Sequence, residues 1–160
     1  MAIITTSGRT ALAIALRSKS LHLAWGTGSP AWDAAPVQET LADAALIAEI
    51  GRRTIFIVQF CKPDAAGDIA VPGGTFIASE SPTHYLYLRV SFDYADAASS
   101  IIREVAVFSG TQTISGLPAG QAYFTPAQIA LPGTLLAIER FPPIVRSATI
   151  RQSFDFVINI

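Results

Sequence analysis

The sequence predicts a mainly β chain: a single antiparallel β-sandwich-like domain over residues 1–160, with one or two short N-terminal helices and extended loops or arms. Leu86, Leu88, Val90 and Phe92 alternate with Tyr85, Tyr87, Arg89 and Ser91, the two-residue period of a half-buried strand. The run IIREVAVF, residues 101–108, holds the β-branched and aromatic residues that suit a pleated sheet. Other strand-like runs follow one another through turns instead of regular helical crossovers, which favours antiparallel pairing.

Taken in order, Ser7 suits the cap of a helix from about Gly8 to Ser18, with Ala11, Leu12, Ala15 and Leu16 repeating on one face. Arg17 and Lys19 near its end favour the C-terminal dipole. LHLAW, residues 21–25, alternates as a short strand and is stopped by GTGSPAWDAAP, a loop holding Trp32. Two tryptophans so close predict a loop pinned to the core, because each ring buries on the order of 200 Å². Gln38 to Ile50 fits a second helix with Thr40 as its cap. GRRTIFIVQF, residues 51–60, reads as a strand covered on both faces.

Turns at residues 62–68 and 71–74 separate the short strands IAV and TFIAS, and residues 93–100 make a tight crossing. Beyond Thr111, repeated Gly and Pro mark residues 112–160 as an arm plus C-terminal strands. In that region GTLLAIERF ends at Pro142 and Pro143, and ATIRQSFDFVINI alternates to Ile160.

At 160 residues the chain is long enough for one core. Charged residues make up 14% of it, against about 25% in ordinary soluble domains. This deficit implies surface buried against partners, as does the excess of nine arginines over two lysines. A formal net charge of −1 without any basic run argues against nucleic-acid binding. Cys61 is the only cysteine, so no intrachain disulfide forms. The N-terminus lacks a basic region before a short apolar stretch, which implies cytoplasmic synthesis without a signal peptide or membrane span.

Cys61 with His84 as base and either Asp64 or Asp93 as orienter would make a nucleophilic set, but no nucleophile motif surrounds the cysteine. A buried thiol and a strand-start histidine are the expectation there. His22 and His84 stand 62 positions apart with no HxxxH or CxxC, and VPGGT and GTGS lack the spacing and lysine of a phosphate loop. Asp64, Asp68, Asp93 and Asp96 read as turn formers. No catalytic, metal or cofactor-binding set is expected. Glu104 shares a face with Ile102, Ala106 and Phe108, a costly place for an unpaired carboxylate, so a structural ion pair with Arg52 or Arg53 is expected. Trp32, Tyr85, Tyr87 and Arg89 form the candidate protein interface, an aromatic set that also suits a sugar-binding surface.

Several landmarks run in order: the GRTALAIAL helix, LHLAWGTGSPAWD, ETL then AEIGRR, the turn at Pro63 and Asp64, SPTHYLYLRVSFDY, and IREVAVFSGT. Over about residues 8–111 this layout resembles tail-fibre-associated and baseplate-associated proteins of contractile-tailed bacteriophages. It looks particularly like the N-terminal particle-attachment domain of tail-collar fibre proteins, whose W/I-R-E-I-G-L-F-D strand reads here as IREVAVFSG, with Val105, Ala106 and Ser109 among the differing positions. The resemblance implies a non-enzymatic structural virion component, made in the host cytoplasm, that attaches tail fibres or completes the baseplate or collar. It further implies contacts with other tail, baseplate and fibre proteins and a homo-oligomeric trimer or ring, and it calls for no cofactor. A carbohydrate-binding module contacting the host surface is the alternative.

Overall fold

Thr5, two residues ahead of the expected cap, starts the helix. In the computed structural model, which describes residues 1–160, its hydroxyl accepts the Gly8 N–H at 3.2 Å, and α1 spans Thr6–Arg17. There follow β1 (Leu21–Gly26), β2 (Glu49–Thr54), β3 (Ile57–Pro63), β4 (Ile69–Val71), β5 (Gly74–Ala78) and β6 (Tyr85–Phe92). The second half adds β7 (Ile101–Ser109), β8 (Gln112–Thr113), β9 (Tyr123–Phe124), β10 (Ile129–Leu131), β11 (Thr134–Val145) and β12 (Gln152–Asn159). The chain is mainly β, as its alternation predicts. Its strands form sheets in the orders β11-β7-β1-β2-β9 and β12-β6-β3-β5-β4, with β10-β8 as a separate pair.

Three elements differ from the sequence expectation. One is β11, which does not end at Pro142 and Pro143 but runs through them to Val145, with a shift in its pairing to β7. Residues 38–48 form no helix, because their backbone is committed elsewhere: the Thr40 N–H bonds the Asp43 carboxylate at 2.7 Å and the Ala48 N–H bonds Glu104. The run at residues 51–60 is two strands and not one, β2 and β3, which join different sheets.

The residues gather into two compact units. The first holds residues 1–19, 55–90 and 154–160. Here β3 lies between β6 and β5, with Cys61 opposite Tyr85 on one side and Ala78 on the other. Alternation along β6 puts Leu86 with Ala13 and Phe60, and puts Tyr87 with Cys61, Ile69 and Phe76. The buried side of α1 is Ala13 with part of Leu16, not the expected Ala11, Leu12, Ala15 stripe. Two arginines set that rotation, Arg9 donating to the Ile160 carbonyl at 3.0 Å and Arg17 to the Val58 carbonyl at 3.2 Å.

The second unit, residues 20–54 and 91–153, is built on the other five-stranded sheet. Its β1 is buried throughout, flanked by β7 and β2. Ala24, Ala106 and Phe108 form an apolar cluster with Leu46, against which Leu135 and Ile138 pack. Trp25 stacks on Phe92 at 3.4 Å between centroids, and its indole N–H donates to the Tyr123 hydroxyl at 3.3 Å. That hydroxyl fits because residue 51, opposite Trp25, is glycine: a Cβ there would lie 2.1 Å from it.

Candidate functional site

The loop after β1 is held to the second unit's sheet by its side chains. Gly28 adopts φ +54, and a Cβ on it would fall 2.5 Å from the Trp32 ring, so the glycine gives the indole its seat. Trp32 ends the 3-10 turn Pro30–Trp32, which Ser29 caps by accepting the Ala31 N–H. Trp32 is 5% exposed. Asp33 follows, and Arg103 from β7 grips it through Nε at 2.5 Å and a terminal nitrogen at 3.3 Å while donating to the Thr27 carbonyl at 3.0 Å. This fork holds the Asp33 carboxyl below its usual range and raises the guanidinium.

A second fork comes from Arg140 on β11. It donates to both Asp43 oxygens, at 3.0 and 3.3 Å, and its guanidinium lies 5.2 Å from the centre of the Trp32 ring. The Asp43 carboxyl is lowered first by that bond and then by the Thr40 N–H. The Arg140 backbone N–H donates to Glu39 at 2.6 Å. Two arginines on adjacent strands thus staple residues 27–43 to the sheet. Val37, Leu41 and Ile47 point outward, Leu41 fully exposed. Beside Leu41 a cleft of about 360 Å³ runs along Leu135, Leu136, Ala137 and Ile138.

The ion pair expected between Glu104 and Arg52 or Arg53 is replaced by others. The strand order places β1 between β7 and β2, so Glu104 faces Gly26 and Arg52 faces Ala24. Glu104, fully buried, accepts the Ala48 N–H at 3.0 Å. Arg52, 1% exposed, makes two bonds to Glu49, at 2.8 and 2.7 Å, donates to Thr111 and the Pro132 carbonyl, and lies over Phe108. Arg53 pairs with Asp96. Arg146 donates to the Ile150 and Asp93 carbonyls and sits over Trp25. The chain's arginines therefore act largely as internal staples, planar forks that hold irregular backbone against a sheet.

Of the four candidate interface residues, Trp32 and Tyr87 are buried within the chain, so neither ring offers an open face. Tyr85 is half-buried against Phe76 and His84. Tyr87 and Arg89 converge on Asp155, the phenol donating at 2.5 Å and the guanidinium at 2.9 Å. They line a polar cleft of about 310 Å³ with Gln59 and Asp68. Burial, then Asp155, pushes the Tyr87 phenol up to about 12. Cys61 lies in the apolar cluster beneath it, its thiol pushed by burial up to about 11. Asp64 caps its own turn through the Ala66 N–H, and Asp93 holds Arg151. No group of three His, Cys, Asp or Glu side chains is placed to hold a metal, and no helix is long and apolar enough to cross a membrane.

Sequence reasoning missed Asp33, Asp43, Arg103 and Arg140. The available signal was an acidic residue closing each half of a Gly/Pro-rich and Ala-rich stretch, with arginines in two later strands. Only the strand order tells which acid meets which arginine. A family model described as baseplate wedge 3 tail fiber network component matches residues 1–160. Comparison with the curated proteins finds no match.

Proposed function

The chain belongs to the family of baseplate wedge 3 tail fiber network components, structural parts of the phage tail baseplate, and on that premise we propose that it is a non-enzymatic connector. In this reading it serves a contractile-type tail, attaching fibres or completing the baseplate through protein contacts. The observation that carries the reading is the stapled loop. Arg103 and Arg140 fix residues 27–43 with Trp32 inward, and leave Val37, Leu41 and Ile47 outward beside an apolar strand edge. A rigid apolar display loses little conformational entropy on docking, which is what a permanent contact in a particle needs.

The test is Leu41→Asp in the producing phage. Purified particles are expected to carry fewer fibre subunits by quantitative mass spectrometry, while the isolated variant melts as the parent does. Particles with a full complement of fibres would overturn the role given to this loop. The carbohydrate-binding alternative draws little from the geometry, since the Trp32 and Tyr87 rings are both buried and aromatic stacking needs an open face.

A further inference from the structure

The second unit matches most of its acids to arginines, and the exception lies at one end of the cleft beside Leu41. Asp33, Asp43, Glu49, Asp93 and Asp96 each hold an arginine, and buried Glu104 accepts the Ala48 N–H. Arg146, the remaining arginine of the unit, is spent on carbonyls, and the unit contains no lysine. Glu39 and Glu139 are thus left without a cation. They stand close together: Glu39 lines the cleft and accepts the N–H of Arg140, the residue after Glu139, at 2.6 Å. The Glu139 carboxyl is raised first by burial and then by the charge of Glu39. Two half-buried carboxylates that repel each other cost the isolated chain stability, and no group of the chain relieves them.

We propose that this cleft takes an apolar residue of a tail partner together with a basic residue beside it, the cation lying on Glu39 and Glu139. Strand geometry sets the two subsites in line. Leu135, Leu136, Ala137 and Ile138 floor the cleft and Leu41 walls it, so its body accepts an apolar side chain. Glu39 sits on the next stretch of β11, at the peptide that joins Glu139 to Arg140. From Leu136 to Glu139 is three residues of strand, about 10 Å, a span covered by apolar and basic side chains one or two residues apart in an extended partner. A guanidinium or ammonium placed there forms charge-assisted bonds to carboxylates already stripped of part of their water. A partner that presents an acid is repelled, and so is a second copy offering this same face. This names the chemistry of the partner in the connector reading and rests on that reading.

Glu39→Gln combined with Glu139→Gln in the producing phage keeps Leu41 and the apolar floor and removes only the charge. Purified native particles are expected to shed fibre subunits progressively when washed in rising salt. The double variant is expected to carry about tenfold fewer of them at low salt, the scale of one charge-assisted hydrogen bond, and to lose no more as salt rises. The isolated double variant is expected to melt at or above the parent temperature, because a repulsion has gone. Fibres retained with the native salt dependence would overturn the proposal. So would a variant that melts below the parent, since the carboxylates would then be structural. Fibre loss in Leu41→Asp with full retention in the double variant sinks this inference alone, whereas full retention in both sinks the connector reading as well.

Discussion

Glu104 occupies the space that a side chain on Gly26 would need. A Cβ at residue 26 would lie 2.6 Å from the Glu104 Oε1 and 2.8 Å from the Ala48 carbonyl. Gly26→Ala is therefore expected to destabilise the chain by about 1–3 kcal/mol, the usual cost of forcing bulk into a filled site. Glu104→Ala removes the bond to Ala48 and is destabilising on its own. Combined, the two should cost less than their sum, because one of the two obstacles is gone. A denaturant-melt cycle checks this, and full additivity would show that the residues do not compete for space.

Arg103→Lys retains the charge and loses the fork. One ammonium cannot serve both Asp33 oxygens and the Thr27 carbonyl in the geometry seen here. Amide hydrogen exchange should accelerate across residues 27–33 while β7 stays protected. Unchanged exchange in the loop would mean that Trp32 alone holds it.

His22 makes stability depend on pH. Burial first, and the Arg52 guanidinium second, lower its pKa from 6.5 to about 4. The folded state thus keeps the imidazole neutral where the unfolded chain protonates it. The contribution is present above 6.5 and is lost as pH falls from 6.5 towards 4, approaching about 1.4 kcal/mol per unit. His22→Asn should flatten unfolding free energy between pH 6.5 and 5, a window above most carboxylate titration. An equal slope in both chains would assign it to other groups.

Cys61 should behave as an inert core thiol. Fully buried, with its pKa pushed up to about 11, it presents no thiolate near neutrality. Labelling by a maleimide at pH 8 is expected to follow the unfolding rate, rising with denaturant. Rapid labelling of native protein with an acid-shifted profile would instead mark a nucleophile.

Local patterns in the sequence were the legible part. The β6 alternation placed Leu86, Leu88, Val90 and Phe92 inward, and all four are buried. Trp32 was readable as a pinned ring because it lies so close to Trp25, in a loop that glycine and proline mark. The rotation of α1 was not readable, since a periodic apolar face looks the same whichever way the helix is turned. Nor were the partners of Glu104 and Arg52, which sit on strands separated by β1. Residues 38–50 misled because alanine favours helix by propensity, whereas Asp43 and Ala48 answer to groups far away in sequence.

The two consecutive prolines within β11 also limit strand pairing along the open border of its sheet. β11 is the outermost strand of its sheet, and its pairing with β7 shifts between Arg140 and Ile144, across Pro142 and Pro143. Neither proline carries an N–H, and Glu39 already occupies the one on Arg140. That stretch of the border cannot template a neighbour's backbone. Edge-to-edge growth into a continuous ribbon is thus deterred there, which leaves that border to contacts made by side chains.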